Sequence, residues 1–261
     1  MCKVIAIANQ KGGVAKTTTT VNLGVALAQL GKRVLLVDND PQGSLTISLG
    51  EEPDSLDITL SSLMEVTIRE DRISWEKGIL RHLEGVDFVP ANLALSGLEV
   101  SLVNVMSRET VLRRYLEQVK KHYDYILIDC NPSLGMLTIN SLTAADSVLI
   151  PVETQYLSAR GMVLLMQTIQ TVRRQINRRL EIEGILLTKV QPGANHPKQI
   201  IEVIRQEYGG NIPVFENRIP LSIKAADASV ARTSVLKFAA SSKVAKAYQA
   251  LAAELIGREA K

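Results

Sequence analysis

The chain has 261 residues, of which 46% are hydrophobic and 22% charged, so it can bury a sizeable core. It has no run of about 18 uncharged apolar residues that could cross a membrane, and its two cysteines are too few for a disulfide framework. The net charge of +3 is uneven, because residues 218–261 hold eight Lys or Arg against three Asp or Glu, which makes this basic end the candidate surface for a polyanion.

The first predicted element is an apolar strand at residues 4–8, which leads into the segment NQKGGVAKTT at residues 9–18 and then into a helix. Backbone N–H groups of a glycine-rich turn at a helix N-terminus form a positive concave surface, to which a lysine adds a full charge. We therefore predict a phosphate cradle, with Lys16 on the phosphates and the Thr17 hydroxyl available to Mg²⁺. The usual pattern G-x-x-x-x-G-K-[ST] is not met, because Ala15 stands where it has glycine.

Strands and helices alternate along the rest of the chain. Further strands are predicted at residues 34–37, 85–90, 125–129, 147–152, 183–188 and 212–215, and helices at residues 110–121, 158–178 and 241–256, while residues 44–63 read as loop and short helix. Continuously apolar strands separated by helices indicate a parallel sheet that is buried on both faces. We predict one α/β domain over residues 1–261, with a mostly parallel, twisted central sheet flanked by helices on both faces.

Several predicted strands end at residues that could bind a ligand or take part in catalysis. Asp38 and Asp40 lie in the segment DNDPQG after the second strand, Asp129 ends the strand at 125–129, and Pro151 lies near the end of the strand at 147–152. In parallel sheets, ligands bind at the carboxyl ends of the strands. We therefore expect these residues to converge with Lys16 on one site.

Together these motifs resemble those of the ParA/MinD family of P-loop ATPases, and within it those of the ParA/Soj partition ATPases. KGGVAKT, with a second lysine at Lys11, is similar to the family's deviant Walker A box, DNDPQG to its D-x-D-P-Q-G segment, and the strand ending in Asp129 to its Walker B strand. The sequence departs from the family at Ala15 and at Asn131, where a proline is usual. If residue 15 needs a positive φ, its Cβ costs about 1 kcal/mol or crowds the phosphate, and Asn131 could loosen the loop.

The resemblance implies a slow ATPase that uses ATP and Mg²⁺. It implies that Asp40 positions the attacking water, that Lys16 binds phosphate, and that Lys11 reaches the phosphates of a partner subunit in an ATP-dependent homodimer. For Asp38, a structural role in the loop and a role in the metal shell stay open. The implied nucleotide-binding residues are Lys11, Gly12, Gly13, Val14, Ala15, Lys16, Thr17, Thr18 and Pro220, and the implied metal site consists of Thr17, Asp40 and Asp129.

The resemblance also implies partners and a location. Taken alone, the basic residues would be read as a solvated surface, but ParA/Soj proteins bind double-stranded DNA non-specifically through residues late in the chain. The expected DNA contacts are Lys224, Arg218, Arg232, Lys237, Lys198 and Lys189. We further expect a ParB-like centromere-binding partner, a cytoplasmic, nucleoid-associated location, no membrane association and, because the cradle begins at residue 11, no N-terminal helix-turn-helix domain.

Two other functions remain open. A MinD-like membrane switch would need a C-terminal amphipathic helix with bulky apolar residues, whereas Ala247, Tyr248 and Leu251 suit packing on the sheet better. A small-molecule or electron-transfer enzyme, such as an amide-forming synthase or the iron protein of nitrogenase, would need an extra substrate domain or a pair of cluster cysteines. The cargo that a partition ATPase would move is not encoded in recognisable form.

Overall fold

The computed structural model describes residues 2–71, 74–153, 159–191, 202 and 212–259. Within these residues the strands are β1 (Lys3–Ile7), β2 (Val34–Asn39), β3 (Leu80–Arg81), β4 (Asp87–Val89), β5 (Tyr125–Cys130), β6 (Ser147–Glu153) and β7 (Glu181–Thr188). They form one sheet in the order β3-β4-β2-β5-β1-β6-β7, in which β3 alone is antiparallel to its neighbour. The predicted mostly parallel α/β sheet is confirmed.

The helices connect these strands and cover the sheet. Those that the structure describes are α1 (Lys16–Gln29), α2 (Ser44–Ser48), α3 (Leu60–Arg69), α4 (Ala94–Ser101), α5 (Val111–Val119), α6 (Met136–Ala144), α7 (Ala159–Gln175), α8 (Ile223–Val230), α9 (Val235–Phe238) and α10 (Lys243–Glu259). Short 3₁₀ turns occur at Pro53–Ser55, Leu102–Asn104, Arg108–Thr110 and Lys120–His122.

Each face of the sheet is buried in its own hydrophobic core. Because side chains alternate along a strand, Val4 and Ala6 of β1 join the core beneath α3, α5, α6 and α7, whereas Ile5 and Ile7 join the core beneath α1 and α10. The sheet is therefore buried on both sides, as its apolar strands predicted. Its polar groups collect at the strand ends, where the loops meet.

The C-terminal helix packs onto this sheet as its sequence suggested. Tyr248, Leu251 and Leu255 of α10 are fully buried and belong to the core that α1 also covers. Their apolar face is therefore occupied by the protein itself and is not presented outward. In the described part of the chain, no helix combines the length and apolar character needed to cross a bilayer.

One predicted strand is wrong. Residues 212–215 form only an isolated bridge between Val214 and Ile185, held by hydrogen bonds from Ile185 N to Pro213 O at 2.8 Å and from Phe215 N to Ile185 O at 2.9 Å. Proline has no N–H to donate, so Pro213 interrupts any continuing ladder at this edge.

Candidate functional site

The loop between β1 and α1 is anchored to the end of β6. Asn9 Nδ2 donates to Pro151 O at 2.6 Å, and Asn9 Oδ1 accepts from Lys11 N at 3.0 Å. Gly13 then adopts the left-handed conformation at φ 75°, and at Gly12 no atom of the described residues, apart from the two chain neighbours, lies within 4 Å of the position a Cβ would take. The loop is therefore curved, fixed at its start and open on its outer side.

Ala15 occupies the strained position of this loop. Its φ of 67° and ψ of 35° lie in the left-handed region, which disfavours any residue with a Cβ. Residue 15 therefore has the positive φ at which we expected its Cβ to carry an energetic cost. Its carbonyl nevertheless begins the helix normally, since it accepts from Thr19 N at 2.9 Å.

Lys16 is the first residue of α1 and folds back over the loop. It is only 8% exposed, and its Nζ donates to Lys11 O at 3.1 Å. Burial lowers the pKa of Lys16, and the negative charge of Asp129 opposes that shift. An ammonium group held in this way can exchange a carbonyl oxygen for a phosphate oxygen with little rearrangement.

Asp129 lies beneath the loop on β5, in register with Asp38 of β2. Its Oδ1 accepts from the Thr20 hydroxyl at 3.3 Å, whereas Oδ2 is buried and has no hydrogen-bond partner among the described residues. Burial, reinforced by the charge of Asp38, raises the pKa of Asp129 to about 8, while the nearby Thr17 hydroxyl and the charge of Lys16 act in the opposite direction.

This orphaned carboxylate oxygen fits a cation or a cation-bound water. Magnesium prefers oxygen ligands and keeps much of its water shell. The Thr17 hydroxyl lies near enough to lower the pKa of Asp129, so the two residues supply such oxygens next to the phosphate cradle. These two residues could therefore hold Mg²⁺, with Asp129 acting through a water.

Asp38 and Asp40 have different surroundings although they are two residues apart. Asp38 is fully buried, where its Oδ2 accepts from Thr46 N at 2.9 Å and from Thr46 Oγ1 at 2.7 Å, and its Oδ1 accepts from Asp40 N at 3.2 Å. Burial raises the pKa of Asp38 to about 6. Asp40 instead lines the open cavity above the loop. The contacts of Asp38 favour the structural role, and Asp40 is the carboxylate that a ligand could meet.

Two adjoining cavities open above the loop. The first, of about 500 Å³, is lined by Gly12, Gly13, Ala15, Lys16, Thr17, Thr18, Asp40, Ser44, Ile47, Ser48, Pro132, Lys189 and Ser229. The second, of about 410 Å³, shares Ala15, Thr18 and Lys189 with it and is otherwise lined mainly by apolar groups around Pro220 and Ile223. A cationic cavity beside an apolar one suits phosphates joined to a flat heterocyclic base.

The loop after Asp129 is tied down by side chains. The Thr138 hydroxyl donates to Asn131 Oδ1 at 2.8 Å, and Glu99 Oε1 of α4 accepts from Leu137 N at 3.2 Å. Asn131 therefore supplies a hydrogen bond where a proline would supply backbone rigidity. These contacts hold the loop in place and therefore do not support the expected loosening of the loop at Asn131.

The predicted nucleotide and metal residues converge, although three of them do not line a cavity. Val14 is buried below the cavity, where its carbonyl accepts from the Thr188 hydroxyl at 3.1 Å. Lys11 lies at the side, and its Nζ is 3.2 Å from Glu153 Oε2. The remaining predicted residues line one of the two cavities, except Asp129, which lies beneath the first.

The predicted DNA contacts differ in their surroundings. Lys189 lies at the cradle, where it lines both cavities. Arg232 forms an ion pair with Glu52 and donates to Gly50 O at 3.2 Å. Lys198 lies outside the described residues, and Arg218, Lys224 and Lys237 are exposed.

The sequence interpretation missed Glu153 and the position of Lys189. Glu153 is the last residue of β6, and Lys189 directly follows β7. The rule that ligands meet the carboxyl ends of parallel strands would have selected both residues, because β6 and β7 are neighbours in the sheet.

Comparisons with known proteins agree with this geometry. A family model described as an AAA domain matches residues 2–182. The chain is 43% identical over 256 residues to the sporulation initiation inhibitor protein Soj of Bacillus subtilis, covering 98% of each. It is 39% identical over 261 residues to the chromosome partitioning protein ParA of Caulobacter vibrioides, covering 98% of this chain and 95% of that one.

A solved structure is similar over the same length. It is a cobyrinic acid a,c-diamide synthase from Mycobacterium smegmatis with bound ADP and magnesium, with a TM-score of 0.86 and 36% identity, covering 100% of this chain and 96% of that one. The similarity to all three proteins therefore extends over nearly the entire chain and includes the cradle.

Proposed function

The chain belongs to the ParA/Soj family of P-loop ATPases, and from that premise we propose that it is an ATP-dependent switch that binds DNA. In this proposal it acts as one domain in the cytoplasm at the nucleoid, where it positions a chromosome, plasmid or other cargo with a ParB-like partner. The observation that carries the proposal is the pairing of the Lys16 cradle with the orphaned buried oxygen of Asp129.

The cradle supports binding of ATP with magnesium. Backbone N–H groups at the start of α1 and the Lys16 ammonium would bind the phosphates, while the apolar cavity beside Pro220 would take the base. Thr17 and Asp129 would hold the magnesium ion, which neutralises phosphate charge when it is bound.

Asp40 would then position the attacking water. Its carboxylate lines the phosphate cavity, and its Oδ1 accepts from Gln42 N at 3.0 Å, which orients the group. Positioning is only part of phosphoryl transfer, because developing charge must also be stabilised by a cation. We therefore expect slow hydrolysis in the isolated chain.

A second copy of the chain would supply that cation. Gly12 and Gly13 are exposed, and within the described part of the chain no atom beyond their sequence neighbours lies within 4 Å of the position that a Cβ would take at either residue. Without side chains, two such loops can approach closely. Lys11 of each copy would then approach the phosphates bound by the other, so dimerisation would depend on ATP.

Dimerisation would also switch DNA binding. Each copy offers a few exposed basic residues late in the chain, and affinity for DNA depends steeply on the number of phosphate contacts. Joining two such surfaces at a fixed spacing doubles that number without reshaping either. Contacts to the phosphate backbone carry no base information, so specificity should be poor.

The test is a mobility-shift series on random-sequence duplex DNA with ATP, with ADP and without nucleotide, repeated across salt concentrations. We expect binding with ATP only, weakening steeply as salt rises. Binding that is independent of nucleotide, or indifferent to salt, would contradict the switch.

A parallel arm with anionic liposomes tests the MinD-like alternative, which predicts ATP-dependent binding to vesicles and not to DNA. The burial of the apolar face of α10 argues against that alternative.

An amide-forming synthase is the second candidate, because one similar solved structure carries that name. Such enzymes that take ammonia from glutamine need a reactive thiolate. Burial raises the pKa of Cys2 to about 11 and that of Cys130 to about 12, so both thiols stay neutral at physiological pH. ATP turnover that requires a small carboxylic acid and a source of ammonia would favour this candidate over the switch.

A further inference from the structure

Glu153 faces the phosphate cradle from the end of β6. The cradle and this strand end are joined by Asn9, which donates to Pro151 O and accepts from Lys11 N. Lys11 is thereby held beside Glu153, although 142 residues separate them in the chain. The contact is a product of the parallel pairing of β1 with β6.

The Glu153 carboxylate lies between two lysines. Its Oε2 is 3.2 Å from Lys11 Nζ, and its Oε1 is 3.7 Å from Lys189 Nζ. The Glu153 side chain is 17% exposed, whereas those of Lys11 and Lys189 are 33% and 37% exposed. A half-buried pair of this kind is screened less by salt than a surface pair.

Lys189 is held at this position by its backbone. The preceding Thr188 hydroxyl donates to Val14 O inside the cradle at 3.1 Å, and Lys189 itself adopts a left-handed φ of 51°. A non-glycine residue in this conformation persists only where its surroundings enforce it. The fold thus places a second lysine at the wall shared by the phosphate cavity and the apolar cavity.

We propose that Glu153 is a positioning residue that holds Lys11 and Lys189 before nucleotide binds, and that the phosphates of a nucleoside triphosphate displace it. Lys189 lines the phosphate cavity, so phosphates bound there would compete with Glu153 for its ammonium group and repel the Glu153 carboxylate from Lys11 as well. A triphosphate brings more negative charge than a diphosphate and so competes better. Glu153 would therefore raise the concentration of either nucleotide that is needed for binding, and a triphosphate would displace it more completely than a diphosphate.

The consequence for dimerisation rests on the proposed function. While Glu153 holds Lys11 within its own chain, Lys11 is not extended toward a second copy. Displacement by the triphosphate would release it, which links occupation of the cradle to formation of the dimer. A population shift of this kind needs only a differential affinity of the ligand for the two arrangements.

The test compares wild type with Glu153→Gln, which keeps the size of the side chain and removes its charge. Glu117→Gln is the matched control, because Glu117 lies on α5 in an exposed ion pair with Lys120 at 2.9 Å, so its loss changes net charge equally. The probes are fluorescent ATP and ADP analogues with magnesium, and light scattering with a slowly hydrolysed ATP analogue reports the dimer.

For Glu153→Gln we expect affinity for the ATP analogue to rise about three- to tenfold, and affinity for the ADP analogue to rise by no more than this factor. Half-maximal dimerisation should need proportionally less nucleotide, and Glu117→Gln should match wild type. Glu153→Asp, which keeps the charge, should lie closer to wild type than Glu153→Gln. In a Lys11→Met, Lys189→Met background the gain from Glu153→Gln should vanish, which a merely structural role would not produce.

Weaker nucleotide binding in Glu153→Gln, or binding equal to that of Glu117→Gln, would overturn the proposal, provided thermal unfolding shows both variants folded. If Glu153→Gln does not fold, Glu153→Asp and the lysine variants decide alone. If wild type binds nucleotide without forming any dimer, the proposed switch is refuted. The competition by Glu153 is then still tested by comparing the nucleotide affinities of wild type and Glu153→Gln.

Discussion

The phosphate cradle and the basic end of the chain both carry lysines, but their surroundings differ. Lys16 is almost fully buried, donates a hydrogen bond to the loop and lies above buried Asp129. Lys224 and Lys237 are exposed on two short helices. In the cradle the fold fixes each charge in one position, whereas at the basic end the number and spacing of the charges matter more than any single one.

The difference leads us to expect single substitutions to act strongly in the cradle and weakly at the basic end. A large effect from one exposed lysine, or a small effect from Lys16, would contradict this expectation.

Lys16→Ala should lower affinity for an ATP analogue with magnesium at least about 100-fold, because a buried charge-assisted contact to phosphate is lost where water cannot replace it. Fluorescence titration measures the effect. Lys246→Ala, an exposed lysine on α10, is the control and should bind as wild type does. A loss below about tenfold would mean that the backbone N–H groups supply most of the positive electrostatic field that binds the phosphates.

Asp129→Asn should stabilise the protein without nucleotide and magnesium at pH 8. The pKa of Asp129 is raised on folding, so the unfolded chain releases this proton at lower pH, and stability falls as pH rises from about 4 to 8. The variant lacks this penalty, so it should gain up to about 5 kcal/mol at pH 8 and little at pH 4.

Urea unfolding at the two pH values measures this effect, and exposed Asp227→Asn on α8 is the control. Adding magnesium with the ATP analogue should stabilise wild type more than Asp129→Asn. A gain for the variant that is the same at pH 4 and pH 8 would show that the titration of Asp129 is not its cause.

Lys224→Ala should weaken DNA binding by the ATP-bound dimer about three- to tenfold and lower the salt dependence by about two counterions, one for each copy. Arg232→Ala should have a smaller effect, because Glu52 already pairs with this guanidinium. Filter binding across salt concentrations compares the two variants. A larger loss for Arg232→Ala would move the DNA surface toward Glu52 and away from α8.

The sequence predicted those parts of the fold that local patterns determine. The apolar runs ending in Asp129 and Val152 predicted strands β5 and β6 almost to the residue, and the apolar face of α10 indicated packing on the sheet. The cradle was predictable because its glycines, Lys16 and the following helix are contiguous in the chain.

Contacts between distant residues could not be predicted in the same way. The pairing of Glu153 with Lys11 and Lys189 depends on which strands are neighbours, and the order of β1, β6 and β7 is a property of the whole sheet. The apolar residues 212–215 look like a strand, but Pro213 and the edge position leave only a bridge.

Ala15→Gly should give the smallest effect and the sharpest test of the cradle's geometry. Ala15 has a left-handed φ of 67°, where a Cβ costs about 1 kcal/mol or more. Glycine relieves this cost, but it loses more chain entropy on folding, which destabilises the variant by about 0.4–1 kcal/mol. The net expectation is a gain of up to about 1 kcal/mol in the free energy of unfolding.

Nucleotide affinity should rise no more than about threefold, because the methyl group lies at the wall shared by the two cavities but carries no charge. Ala28→Gly in the same helix is the matched control, since Ala28 is helical and glycine there should cost about 1 kcal/mol. Opposite signs for the two variants in urea unfolding would verify the left-handed loop. A loss in both would place residue 15 in an ordinary helical conformation and remove the strain from the cradle.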